Sequence, residues 1–287
     1  MTSPAPDRHG AAVGDRRPEV RTSRSRLGED GNTIAELLAA SFLSLLILSV
    51  VFGAVRAQGR SAAIQSGAAD AHLTIRGASE ILLSDLRMAG YGMLAVPPAS
   101  GVAPIEVTRS SGATSLVLRG NFANATAALA QAALAGASQL VVTPSVGSGA
   151  FKAGTRMVVD SGLASEVKTI TGVSASGSNV VLSLESPLAR SYPIGPDVVQ
   201  VESVSYDWTG GVLRRAGQVL ADDVTSFDLV FIDQAGAQTS TPGANSRSVV
   251  LSMGARQAAP SVDTPKVASS VSIEAHLRNV AMRWDAG

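Results

Sequence analysis

The sequence predicts an α+β fold, with one long N-terminal helix followed by an antiparallel, β-rich head. Three observations carry that prediction. Residues 37–55 form an unbroken apolar run. Apolar residues then recur every three or four positions, at Ile64, Ala68, Ala71, Ile75, Ala78, Leu82 and Leu86, while Arg60, Gln65, Asp70, Arg76, Glu80, Asp85 and Arg87 mostly fill the other faces. From Val102 onward the chain breaks into short Val-, Leu- and Ile-rich runs bounded by Gly, Ser, Asn and Pro. A period near 3.6 marks an amphipathic helix, and short β-branched runs between turn residues mark antiparallel strands.

Residues 1–31 set Arg8, Arg16, Arg17, Arg21, Arg24 and Arg26 against Asp7, Asp15, Glu19, Glu29 and Asp30, with no apolar period. A segment of this composition has too little apolar surface to offset its ordering entropy and is expected to be disordered. It reads either as a flexible tail or as a cytoplasmic leader that is cut away. Arginine on this side of the apolar run places it in the cytoplasm and the remainder of the chain in the periplasm.

The run from Leu37 to Val55 would be about 28 Å long as a helix, enough to cross a hydrocarbon core of about 30 Å once. A cleavable secretory peptide is the competing reading, because Val55-Arg56-Ala57 offers a small-residue cleavage context. The run is longer than a signal core, Glu36 stands at its edge, and the helical period continues beyond it; all three argue against cleavage there. The arginine pair Arg16-Arg17 lies too far upstream of the apolar run for a twin-arginine export signal. An unbroken helix from Thr33 to Ala89 would reach roughly 85 Å, with Gly53, Gly59, Gly67 and Gly77 as the expected bend points. Gly90-Tyr91-Gly92 closes it, as glycine after a helix commonly does.

Within the head, strands are expected at 105–108, 115–119, 139–143, 156–160, 164–171, 179–184, 197–207, 212–215, 226–232, 246–255 and 269–279. The Ala- and Leu-rich residues 121–135 read as a loop or a short exposed helix. Residues 139–196, with several evenly spaced strands, read as a small barrel-like insertion. The domain plan is therefore a leader at 1–31, a helix at 32–92 (membrane part 37–55, periplasmic part 56–90) and a head at 93–287.

The 287 residues carry no formal net charge and no cysteine, and 45% are apolar. Zero charge gives no basic field for nucleic acid. The lack of cysteine excludes disulfides, thiolate zinc sites and a lipidated cysteine after a signal peptide. His9, His72 and His276 are too scattered for metal-ligand spacing, and neither a phosphate loop nor a nucleophile elbow occurs. Asp222, Asp223, Asp228 and Asp233 form a local acidic group whose spacing matches no calcium loop, so they read as solvated strand ends. Trp208 and Trp284 read as core or interface anchors, and Tyr91 as a core anchor. No catalytic residue, metal or cofactor is expected, and the chain is read as a non-enzyme.

Four stretches carry a family resemblance. Gly31-Asn32-Thr33-Ile34-Ala35-Glu36-Leu37 followed by the apolar helix resembles the processing signal of type IV prepilins and type II secretion pseudopilins. Ser84-Asp85-Leu86-Arg87-Met88-Ala89-Gly90-Tyr91-Gly92 resembles the element that closes the N-terminal helix in PilW-like minor pilins and PulJ-like pseudopilins. Farther on, Val204-Ser205-Tyr206-Asp207-Trp208 with Gly211-Val212-Leu213-Arg214-Arg215, then Val224-Thr225-Ser226-Phe227-Asp228-Leu229, is similar to their C-terminal half. Leu277-Arg278-Asn279 resembles a late strand of many of them.

The resemblance implies a type IV pilin-like fold, cleavage after Gly31 by prepilin peptidase and methylation of Asn32, where the family more often has an apolar residue. It further implies that Glu36 pairs with the methylated amine of a neighbouring subunit and so fixes axial register. The implied partners are prepilin peptidase, major and other minor pilins or pseudopilins, the inner-membrane assembly platform and membrane lipid. The implied function is that of a minor pilin or pseudopilin, a structural subunit that acts in initiating and assembling a short filament. It would sit first in the inner membrane and then in a pilus or pseudopilus. The alternative is a membrane-anchored periplasmic binding or adhesin module using the insertion; a secreted enzyme would instead begin after Ala57.

Overall fold

The computed structural model describes residues 32–93, 96, 100–243, 245–257 and 267–280. The proposed leader at 1–31, with Gly31 and His9, lies outside them, as does Trp284. The chain divides into two units, residues 1–58 and 59–287. Helix α1 (Asn32–Met88) is continuous through all four internal glycines. Among the described residues fourteen β-strands follow it, giving an α+β molecule with a long apolar N-terminal helix and a large antiparallel sheet.

In the first unit the apolar side chains of α1 are all exposed, among them Leu37, Phe42, Leu46, Val51 and Phe52. Ser41 and Ser49 return their hydroxyls to the carbonyls of Leu37 and Leu46, at 2.7 and 2.8 Å. That bonding satisfies polar groups inside the helix, as a lipid environment demands. The Arg56 guanidinium lies 5.9 Å over the Phe52 ring, at the polar end of the run. By length and composition this helix can cross a membrane.

In the second unit the expected stripe is buried from Ala71 onward, where Ala71, Ile75, Ala78, Leu82 and Leu86 are joined by Ser79, Leu83 and Ala89, while Ile64 and Ala68 are half-buried. The Ser79 hydroxyl bonds back to the Ile75 carbonyl at 2.6 Å, so it enters the core without an unmet donor.

Two sheets share the core that this stripe enters. One contains β1 (Ile105–Ser110), β2 (Ala113–Gly120), the second half of β8 (Asp197–Thr209), β9 (Val212–Arg215) and β10 (Gln218–Ala221). The other has the order β12-β11-β13-β14, from β11 (Val224–Asp233), β12 (Gln238–Thr239), β13 (Ser246–Gln257) and β14 (Val267–His276). Leu82 and Leu86 meet Leu116, Leu118 and Tyr206 of the first sheet and Phe231, Leu251 and Met253 of the second in one hydrophobic cluster. Trp208 Nε1 donates to the Val224 carbonyl at 3.1 Å, and Arg109 Nη2 to that of Leu229 at 2.7 Å, tying the sheets together.

The first half of β8 belongs to a closed ring. It pairs with β3 (Thr126–Leu129) on one side and β5 (Arg156–Asp160) on the other. The circuit β8-β3-β4-β7-β6-β5 is completed by β4 (Gln139–Pro144), β6 (Ser165–Ser176) and β7 (Asn179–Leu184). This six-stranded barrel takes two of its staves, β3 and residues 197–201, from outside the expected 139–196 insertion. Its own core holds Leu140, Met157, Ile170, Leu182, Tyr192 and Val198.

Residues 121–135 are neither a loop throughout nor a helix, because β3 runs through them. Two causes are visible. The buried Asn121 side chain both donates to and accepts from the Ala125 backbone, at 3.3 and 2.8 Å, which breaks any helix there. Ala125, Ala127, Leu129 and Ala133 then point inward, where a small barrel has room for little more than a methyl group. The late strand also stops at His276, short of the expected 279. Leu277 enters the core, and Asn279 turns back toward the helix. The short strands β10 and β12 carry too few residues to register as periodic.

Gly120 is where β2 touches the end of α1, and a Cβ there would sit 2.7 Å from the Met88 carbonyl oxygen. Gly120→Ala should therefore lower unfolding stability by about 2 kcal/mol, measured by urea denaturation in detergent micelles. An unchanged midpoint would show that the helix end is not fixed by this contact.

Candidate functional site

Two regions hold the residues that the sequence singles out. Asn32 opens α1, and Glu36 is exposed one turn further on. Around Glu36 the exposed neighbours are apolar: Ile34, Leu37 and Leu38 are each more than 60% exposed. Among the described residues no oppositely charged or hydrogen-bonding side chain meets the Glu36 carboxylate.

The second region is the closure of α1, and here the structure brings the sequence motif together. Asp85 is largely shielded from solvent. Its Oδ2 accepts from the Tyr206 hydroxyl at 2.6 Å and from Arg215 Nε at 2.8 Å, and Arg215 Nε lies 3.1 Å from the Tyr206 hydroxyl. Burial, reinforced by the hydrogen bond to Asp85, raises the Tyr206 phenol well above its ordinary value. The Asp85 hydrogen bond likewise drives Arg215 further toward its charged form. Leu86 is fully buried in the shared core, whereas the Arg87 side chain is exposed and contributes its backbone carbonyl to Asn279 Nδ2, at 2.9 Å.

Gly90 adopts φ +81° and donates its amide to the Arg119 carbonyl at 2.8 Å. A Cβ at Gly90 would also press on the Asn279 backbone at 3.2 Å, so both the left-handed turn and the close approach call for glycine. Tyr91 is not a core anchor: it is 40% exposed, and its hydroxyl reaches Asn124 Oδ1 at 3.5 Å. With Gly90 in the left-handed turn, the Tyr91 ring faces a cleft of about 290 Å³ instead, shared with Gly92, Asn121, Val199 and Asn279.

Sequence reasoning missed Tyr206 and Arg215 as partners of Asp85. The signal was present, because both fall in the quoted hairpin motif and pair directly across β8 and β9. Their alternation marks the same face, but nothing local says that a helix carboxylate lies over it.

The remaining candidates are dispersed. Asp228 lies 3.6 Å from Arg109, Asp233 Oδ1 accepts the amides of Ala235 and Ala237, and the backbone carbonyl of Asp223 accepts the Arg256 amide. His72 Nδ1 is 3.0 Å from Ser269 Oγ. Among the described residues no cluster of three His, Asp or Glu side chains could hold a metal ion.

The barrel has an ionic latch of its own. Glu166 accepts the Ala189 and Arg190 amides at 2.9 and 3.3 Å and lies 3.2 Å from Lys168 Nζ, which donates to the Pro187 carbonyl at 2.6 Å. Partial burial pushes the Glu166 carboxyl upward, but those two amides and Lys168 outweigh it and hold the group below the usual carboxylate range. Tyr192, whose hydroxyl is buried, is pushed up to about 12 by burial and by the neighbouring Glu166 carboxylate.

Removing the carboxylate in Asp85→Ala leaves Tyr206 and Arg215 without their acceptor and should cost about 2 kcal/mol, with Tyr206→Phe costing about 1 kcal/mol. The double variant should fall short of the sum in urea melts; strict additivity would mean that the three groups do not act together. Because the Glu166 carboxyl is depressed in the folded state, its stabilising effect is present above the unfolded carboxylate range and is lost as pH falls through the folded value. Hydrogen exchange at the Ala189 and Arg190 amides should accelerate on acidification beyond the intrinsic rate change, and Glu166→Gln should remove that excess. A wild-type profile matching Glu166→Gln would sink the latch.

No model of a known protein family matches this chain, and no curated protein matches it.

Proposed function

We propose that this protein is a minor pilin or pseudopilin, a non-enzymatic structural subunit of a type IV pilus or type II secretion-like filament that acts in filament initiation and assembly. The observation that carries the reading is Glu36, the one acid beside the apolar run at 37–55, whose neighbouring apolar side chains have no cover among the described residues. An ionised carboxylate at membrane depth costs on the order of ~3 kcal/mol, which an oppositely charged partner can offset. The amine created by cleavage after Gly31 and methylation of Asn32 supplies such a partner on a neighbouring subunit. Leaving Glu36 unpaired is penalised, so the attraction selects one axial offset between packed helices.

The closure of α1 supports the same reading. Asp85, Leu86 and Gly90 hold the end of the helix to the β head through Tyr206, Arg215 and Arg119. A subunit pulled by its N-terminal helix during assembly needs that joint to transmit load. In this reading the chain first sits in the inner membrane with its N-terminus cytoplasmic and its head periplasmic. Prepilin peptidase processes it, and the assembly platform and other pilins or pseudopilins then take it up.

Intact mass of protein extracted from membranes of a host with the peptidase should correspond to a chain beginning at Asn32 and carrying one added methyl. A mature chain starting after Ala57 would replace this reading with a secreted protein. Glu36→Ala should abolish co-assembly with partner subunits while leaving membrane insertion intact. Unaffected assembly would favour a membrane-anchored binding or adhesin module.

A further inference from the structure

A second feature, independent of the filament reading, lies where β8 leaves the barrel and enters the sheet. A cleft of about 490 Å³ opens there, within the size range of small-molecule sites. Three cations from separate segments line it: Arg119 at the end of β2, Lys152 in the turn before β5 and Arg156 at the start of β5. Phe122, Val201 and Val204 supply its apolar wall.

The back of the cleft is held rigid by a buried polar network. Gln200 is fully buried, accepts the Lys152 amide at 2.7 Å and donates to Glu202 Oε1 at 2.8 Å. Glu202 Oε2 accepts the Ala123 amide at 2.7 Å. Burying an amide side chain is costly unless each bond is made, and here those bonds fix the turn that carries Lys152. Thr155 Oγ1 closes the same turn on the Lys152 carbonyl at 2.6 Å.

The cations differ in how far they are already used. Arg119 is committed, through Nη1 to the Ala103 carbonyl at 3.0 Å and Nη2 to Glu106 at 2.8 Å. The Lys152 side chain is 65% exposed, with Nζ 3.9 Å from Glu202, whose oxygens already have closer donors. Arg156 is exposed, and its guanidinium has no hydrogen-bonding or ionic partner among the described residues. Set against Glu202 and Glu106, the three cations leave an excess of one positive charge, which matches a monoanion better than a dianion.

We infer that this cleft binds a small carboxylate carried on a compact ring or hydrocarbon body. Arg156 forks onto the carboxylate, Lys152 adds a point charge, and the body rests against Phe122, Val201 and Val204. Guanidinium and carboxylate match in a two-bond planar geometry, which is why arginine carries the main contact.

The test uses the full chain in detergent micelles and titrates benzoate and glucuronate by calorimetry, with benzyl alcohol, glucose and inorganic phosphate as comparators. At least one of the two carboxylates should bind saturably at one site, and neither uncharged comparator should. Arg156→Gln should weaken binding about tenfold and Lys152→Ala about threefold, as loss of a charge-assisted contact does. Both side chains are exposed, so thermal unfolding of the variants should match wild type. Failure of both carboxylates to bind, equal binding by their uncharged counterparts, or unchanged affinity in the Arg156→Gln, Lys152→Ala double variant would overturn the assignment. Phosphate binding more tightly than either carboxylate would overturn it as well. None of these outcomes depends on where the mature chain begins or on Glu36.

Discussion

The head depends on one constraint: α1 has to end where β2 passes beneath it. The Met88 carbonyl, the Gly90 amide and the backbone at Gly120 meet there with no room for a side chain. One turn earlier, Asp85 is bound by Tyr206 and Arg215. With the end fixed, the stripe from Ala71 to Ala89 lies in one register against both sheets, and Leu82 and Leu86 become shared core. A helix ending a residue later would rotate that stripe by about 100° and expose it.

The barrel is fixed by a different device. Strand β8 runs without a break from the barrel into the sheet, so backbone hydrogen bonds on both stretches set the direction in which one continues into the other. Both faces of the strand are buried where it crosses, with Gln200 and Val201 side by side in sequence. Met93, Val102, Val158 and Val201 form a separate cluster at this crossing. The segment after the helix is thereby pinned to the barrel as well as to the sheet.

Legibility in the sequence followed periodicity. The helical stripe was readable because Ile75, Ala78, Leu82 and Leu86 keep a spacing that local geometry alone makes one-sided. Most strands were readable because they alternate or run β-branched between turn residues. β3 was not, since it is only four residues long and its two inward positions, Ala127 and Leu129, both carry a helical preference. The motif ending in Gly90 was legible as a unit, but the role of Asp85 required residues more than a hundred positions away. Tyr91 was misread for the same reason: its orientation depends on where Gly90 turns the chain.

What the sequence determined by itself is the apolar run with its single acid, the amphipathic continuation, the glycine stop and the β character of the rest. Each of these is set by residues within a few turns or a few strand positions of one another. Tertiary structure alone decided that Asp85 belongs to Tyr206 and Arg215, that an alanine-rich segment closes a barrel, and that Lys152 and Arg156 share a cleft with Arg119. Those outcomes depend on which distant backbones come within a few ångströms, and no local period encodes that distance.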